Sequence, residues 1–115
     1  MKVIIIPGLL IIFLFGRITS STAQAPHVPK DVQSLLSKYA CTSCHMLDKK
    51  LVGPSFVDIA AKKYPEAKMI ELIYRPDPKN WPDYPHMESM PYVPDKVVKK
   101  IAKWLVHLSK HHLTE

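Results

Sequence analysis

Apolar residues along this chain recur at helical spacing in four places. Val32, Leu35, Leu36, Tyr39 and Ala40 fall at i, i+3, i+4, i+7 and i+8, which predicts one face of a helix over 32–40 with Asp31 as its cap. "SFVDIAAKKY" predicts a short helix capped by Ser55, and Pro65 suits the start of another over "EAKMIELIY", which Arg75-Pro76 stops. The last element, "PDKVVKKIAKWLVHLSK", carries an apolar stripe of Val97, Val98, Ile101, Ala102, Leu105 and Leu108, with Trp104 at its edge. Lys96, Lys99, Lys100, Lys103 and Lys110 lie mostly off that stripe. No stretch alternates apolar and polar positions long enough for a strand, and there is no internal repeat or Gly-rich phosphate loop. The expected fold class is all-α, with about four helices.

Two segments break the helical pattern. "HMLDKKLVGP" reads as a loop ending in a Gly-Pro turn. The stretch from Pro76 to Pro94 holds six of the chain's 11 prolines. Its Trp81, Tyr84, Met87, Met90 and Tyr92 make it too apolar for a solvated linker. It reads as a stiff loop packed on something, and proline makes such a loop less costly to order.

The amino terminus follows a different logic. Met-Lys precedes an uncharged apolar run from Val3 to Phe15, then the small-residue stretch "GRITSSTAQA". That order is the order of a secretory signal. Ser21 and Ala23 fit a cut before Gln24, the preferred one, while Ala23 and Ala25 fit a cut before Pro26. Residues 1–25 are thus expected to be a signal peptide, and 26–115 the single mature domain. As an uncleaved anchor the run is short: 13 residues at about 1.5 Å each span roughly 20 Å of a hydrocarbon core about 30 Å thick. After cleavage no stable membrane insertion is expected.

Charge narrows the partners. Of 16 Lys and Arg only Lys2 and Arg17 precede either cut, and all 10 acids follow it, so the net charge falls from +6 to +4. This is too weak and scattered for nucleic acid, and it suits an acidic protein surface. A domain this small buries little over 60% of its unfolded surface and usually needs a staple. Two cysteines two residues apart close too small a loop to serve as one. A bound group that completes the core fits better.

Both cysteines lie in "CTSCH", with His45 directly behind Cys44. A Cys-x-x-Cys pair serves a redox dithiol, half a zinc site, or covalent haem attachment. A redox dithiol belongs after a strand in a βαβ pattern, which is absent. Structural zinc needs four Cys or His ligands; there is no second cysteine pair, and His27, His107, His111 and His112 read as surface residues near the ends. Cys-x-x-Cys-His is the haem-attachment signature, and haem is the large apolar insert that the small core lacks.

On these residues the mature chain resembles the class I cytochromes c, and within them the small bacterial monohaem electron carriers. The likeness rests on "CTSCH" closing the first helix, "GPSF" after the loop, and "SMP" before a final helix containing "AKWL". The resemblance implies a helical fold packed around one covalently bound haem c. It makes Cys41 and Cys44 the thioether residues and His45 the proximal iron ligand. It makes Pro54 the residue whose carbonyl accepts the other imidazole N–H, Met90 the distal ligand, and Trp81 the loop tryptophan beside a haem propionate. It also implies an exported, periplasmic carrier exchanging one electron with respiratory protein partners, and no enzymatic activity.

Read from the residues alone, the distal ligand stays among three candidates. Met46 is too close to His45 to reach around the iron, and Met69 sits mid-helix, where a methionine is usually core. Met87, Met90 and His86 remain. A His-Met pair fills both axial sites and raises the potential relative to bis-His ligation. The rival reading is a haem enzyme or gas sensor with an open or detachable distal site.

Overall fold

The computed structural model of the chain describes residues 25–112; the signal segment expected over residues 1–25 lies outside them except for Ala25. Four α-helices are described: α1 (Lys30–Lys38), α2 (Phe56–Ala61), α3 (Glu66–Tyr74) and α4 (Asp95–His112). Two single 3-10 turns, Cys41–Ser43 and Pro78–Asn80, interrupt the connections. There is no strand among the described residues, and the all-α class holds. No described helix is long and apolar enough to cross a membrane.

Each helix starts and stops for a local reason. Helix α1 begins one residue ahead of the expected cap. Pro29 occupies the capping position, and its carbonyl accepts the first helical bond from Gln33. Asp31 is therefore not the cap. It lies inside the first turn, where its carboxylate accepts the Val32 N–H at 2.9 Å and faces the positive end of the helix dipole. The helix also ends earlier than its apolar pattern suggests. Ala40 takes a left-handed conformation, φ 58°, which terminates α1 and sends the chain into the Cys41 turn. In α2, Ser55 is the cap, its hydroxyl accepting from the Asp58 N–H at 3.0 Å. Pro65 caps α3, and Arg75, restricted by the following Pro76, ends it.

Helix α4 is the backbone of the packing, and α1, α2 and α3 all lie against it. Its buried face is the expected stripe: Val97, Val98, Ile101, Ala102, Leu105 and Leu108. Trp104 is not at the edge of that stripe but within the core, 6% exposed, where it meets Phe56 of α2 edge to face with ring centroids 5.1 Å apart. Such a contact adds about 0.5–1.5 kcal/mol to area burial. From the other helices come Val32 and Leu36, Ala60, and Met69. Met69 is core, as its helical position suggested. The five lysines named above are all exposed.

Two polar ties place the long loop and the first helix. Tyr74, at the end of α3, donates its hydroxyl to the Val93 carbonyl at 3.0 Å, fixing the chain just after Met90. Lys100 of α4 pairs with Asp31 of α1. That pairing holds the Asp31 carboxyl below its ordinary value of 3.8, the Val32 N–H adding to the effect. A depressed carboxyl pKa contributes stability above the unfolded value and loses it as pH falls through the folded value. Asp31→Asn should therefore lower Tm slightly at pH 7 in low salt. The difference from wild type should vanish below the Asp31 pKa, and shrink at high ionic strength because the pair is exposed. Thermal melts across pH and salt check this.

Candidate functional site

The Cys-x-x-Cys-His segment is held from both sides by backbone bonds. The His45 and Cys44 N–H groups donate to the Cys41 carbonyl. The Cys44 carbonyl accepts from the Gly53 N–H at 2.8 Å, the Met46 carbonyl from Phe56 at 2.9 Å, and the Leu47 carbonyl from Val57 at 3.0 Å. A helix leaves its first N–H groups unpaired. Here those of Phe56 and Val57 are satisfied by the loop that follows His45, and that of Asp58 by Ser55. The start of α2 is thus docked onto the residues around His45.

His45 is buried, 9% exposed. Its Nδ1 lies 2.7 Å from the Pro54 carbonyl oxygen. A carbonyl only accepts, so Nδ1 is the donor, and in the neutral imidazole Nε2 then keeps its lone pair. No described residue hydrogen-bonds to Nε2. The ring rests 5.5 Å from Phe56, centroid to centroid, and Gly53 lies against its other atoms. A Cβ added at Gly53 would come within 2.6 Å of His45 Cε1 and 2.9 Å of Nδ1. The glycine is required by close approach rather than by its backbone angles.

Beside this segment is a cavity of about 330 Å³. Its lining is mainly apolar and draws on Leu36, Phe56, Met69, Ile101 and Leu105 from the core. Cys41, Cys44 and His45 line it, and so do Trp81, His86, Met87 and Met90 from the proline-rich loop. The structure therefore brings every expected site residue, Pro54 included, to one cavity. Met90 is half-buried and packs on the core, whereas Met87 and His86 are exposed. A turn follows Met90 directly, closed by the Val93 N–H on the Met90 carbonyl, with Pro91 at its second position. The loop is also clasped from outside. Lys62 lies over the Trp81 ring at 4.6 Å, Lys50 over Tyr84 at 4.5 Å, and the two rings meet edge to face.

Several of these contacts are absent from any sequence signal. The Gly-Pro turn was legible, but not that Gly53 abuts the imidazole. The Tyr74–Val93 bond joins residues 19 apart, and no periodicity points to it. The lysine–aromatic clasps likewise depend on where loops come to lie.

The chemistry of the segment separates the three uses of Cys-x-x-Cys. Burial pushes the Cys41 thiol above its ordinary value of 9.0, with Cys44 adding to the rise. A redox dithiol needs the opposite shift, toward thiolate. No group of three or more potential metal ligands gathers among the described residues, which disfavours a four-ligand zinc site. Covalent haem fits on three counts: an apolar cavity, two half-buried free thiols on one turn, and an imidazole presenting an unprotonated Nε2 while its other nitrogen is tied down.

An all-helical domain with Cys-x-x-Cys-His at the wall of an apolar cavity defines a small class I cytochrome c. No protein-family model matches the chain. Cytochrome c-551 of Pseudomonas denitrificans is 36% identical over 80 residues, covering 66% of this chain and 95% of that protein. Cytochrome c-551 of Azotobacter vinelandii is 33% identical over 78 residues, covering 64% and 93%. Cytochrome c-551 of Allochromatium vinosum is 30% identical over 78 residues, covering 64% and 82%. The class 1 cytochrome MtoD from Sideroxydans lithotrophicus ES-1 shares the fold, with a TM-score of 0.52 at 24% identity over 68% of this chain and 92% of that one. The chain belongs to the cytochrome c-551 family: it is a monohaem electron carrier with covalently bound haem c.

The Gly53 contact gives a direct test of the site. Gly53→Ala should force the His45 ring or the loop to move and cost about 1–3 kcal/mol, as overpacking does. The His45 Nδ1–H resonance should shift with it. A denaturation curve and a proton NMR spectrum measure both. An Ala variant with unchanged stability and unchanged resonance would show that the close approach is absent.

Proposed function

We propose that this protein is an exported one-electron carrier in which Cys41 and Cys44 form the thioether links, His45 is the proximal ligand and Met90 the distal one. Bound there, haem c supplies a one-electron Fe(III)/Fe(II) couple. The observation that carries the reading is the convergence on one apolar cavity of an oriented imidazole and a half-buried thioether from distant parts of the chain. Pro54 holds the His45 tautomer that leaves Nε2 available, and its carbonyl makes the imidazole a stronger donor. Gly53 allows the ring its position. Tyr74, through Val93, and the turn at Pro91 hold the Met90 backbone. Trp81 lines the cavity, and by the resemblance its ring N–H would serve a haem propionate.

Met90 is favoured over Met87 and His86 by this support. No backbone bond to another described residue is found for residues 85–89, so Met87 and His86 lack the anchoring that Met90 has. A thioether is neutral and soft, favours Fe(II) and supports a relatively high potential. Held by both His45 and Met90, the haem would exchange electrons and would offer no open site for an enzyme or a gas sensor to use.

The setting follows from the same residues. Export to the bacterial periplasm is supported by the apolar run and small-residue cut sites at the amino terminus. Redox protein partners are supported by the rim of the cavity. Val52, Met87 and Tyr92 are exposed and line it, Leu51 is exposed nearby, and Lys49 and Lys50 adjoin them. An apolar patch flanked by lysines suits a partner with an acidic border, and Lys38 adds a further positive charge on the same stretch of chain.

Spectra of the wild type and two variants test the assignment. The reduced wild type should show sharp low-spin bands that carbon monoxide does not change. Met90→Ala should bind carbon monoxide, lose the weak sulfur-to-iron band of the ferric protein in the far red, and have a markedly lower potential. Met87→Ala should do none of these. Reversed behaviour would make Met87 the ligand, and strong carbon monoxide binding by the wild type would replace the carrier with a haem enzyme or sensor.

Docking has its own measurement. Electron exchange with an acidic partner should slow as ionic strength rises from 0.01 to 0.1 M, where the Debye length falls from about 30 to about 10 Å. Replacing Lys38, Lys49 and Lys50 by glutamine should flatten that dependence. Salt-independent exchange would remove the electrostatic part of the reading.

A further inference from the structure

Residues 81–84, Trp-Pro-Asp-Tyr, form a turn closed by the Tyr84 N–H on the Trp81 carbonyl at 3.1 Å, with Pro82 at its second position. The turn brings its first and last side chains together. The two rings stand edge to face, with centroids 5.8 Å apart. Each also has an ammonium group over it: Lys62 Nζ lies 4.6 Å from the Trp81 centroid, and Lys50 Nζ 4.5 Å from that of Tyr84. These are cation–π distances. Both rings line the cavity and neither lysine does, so the ammonium groups bear on the loop from outside. Among the described residues the ion pairs join Lys68 to Glu71, Lys99 to Asp95 and Lys100 to Asp31. Lys50 and Lys62 thus face rings rather than carboxylates, even though Asp83 lies in the turn itself.

The four side chains come from two different walls of the cavity. Lys50 belongs to the loop that follows His45. Lys62 ends α2, whose start is docked on that loop. Trp81 and Tyr84 belong to the proline-rich loop that carries Met90. Beyond Tyr84, residues 85–89 make no backbone bond to another described residue. The lysine–ring contacts therefore mark the near end of an unbonded span that runs up to Met90.

We propose that Lys50 and Lys62 are positioning residues that form a two-point latch. The latch ties the Trp81–Tyr84 turn to the His45 side of the domain and keeps the face of the iron that Met90 covers closed to outside ligands. With the latch open, the free span before Met90 extends back to the Pro78–Asn80 turn, and a longer free span holds its end less tightly. The consequence at the iron rests on the axial ligands proposed above. The latch itself does not.

The test uses the intact holoprotein. In the reduced, diamagnetic state the ε-methylene protons of Lys50 and Lys62 should resonate upfield of those of Lys63, because protons held over an aromatic face are shielded. Tyr84→Leu should return Lys50 to the ordinary position. Lys50→Met and Lys62→Met keep an aliphatic stem and lose the charge. Each should speed hydrogen exchange of the Tyr84 amide about two- to fivefold, as the loss of one exposed cation–π contact does. Cyanide uptake by the ferric protein should rise by a similar factor. Lys63→Met, at an exposed lysine beside Lys62, should change neither rate. In a Tyr84→Leu background, Lys50→Met should have no further effect on cyanide uptake, since the pair is already broken. Ordinary resonances for both lysines, or unchanged amide exchange in both Met variants, overturns the latch. Faster exchange with unchanged cyanide uptake overturns its role at the iron. The resonance and exchange measurements do not involve the iron ligands, so a wrong distal ligand, which Met90→Ala detects, is told apart from a wrong latch.

Discussion

A carbonyl oxygen can only accept a hydrogen bond, so the 2.7 Å contact between the Pro54 carbonyl and His45 Nδ1 decides the state of the whole site. It sets the tautomer, frees Nε2, and fixes the plane of the ring. The arrangement requires Pro54 to stand where it does. The chain meets that requirement by docking the start of α2 on the loop around His45, with the Phe56 and Val57 amides bonded to Met46 and Leu47. The same amides would otherwise be unpaired at a helix start. One set of bonds therefore completes the helix and positions the imidazole.

From His45 the order extends into the core through aromatic contacts. Phe56 lies between the imidazole and Trp104, and Trp104 belongs to the helix on which the other three pack. A shift at the ring is thus felt in the center of the domain, because packed interiors do not absorb displacements of even a methyl group without cost. On the far side in sequence, the proline-rich loop is held by different means. The Tyr74 hydroxyl, the turn at Pro91 and the lysine–aromatic clasps each contribute about 1 kcal/mol or less. The side around His45 is over-determined, and the proline-rich loop is held by several weak ties.

This asymmetry suits a small carrier. The cavity of about 330 Å³ takes up space that would otherwise be filled by side chains, so the cofactor supplies core as well as chemistry. Helix α4 accordingly has separate faces: a buried one built for packing, and an exposed one carrying lysines. Charge on that outer face can vary with little effect on the core, since surface interactions are weak and screened.

Much of this was legible in the residues. Apolar spacing alone marks the buried face of α4, the core role of Met69 and the existence of all four helices, because helical period and burial are local properties of side-chain order. Ser55 and Pro65 announce their helix starts through their own chemistry. "CTSCH" narrows the site to haem attachment. Three local readings did not survive folding. Asp31 acts within α1 rather than capping it, Ala40 leaves the helix in a left-handed turn, and Trp104 is interior. In each case a neighbour distant from the pattern, or the direction the chain must take next, outweighed the local preference. The sequence by itself determined the helices, their apolar faces and the haem-attachment motif. Only the tertiary structure decided which carbonyl meets His45, why residue 53 must lack a side chain, and what anchors Met90. Those are contacts between segments far apart in the chain, and no local periodicity encodes the distance between them.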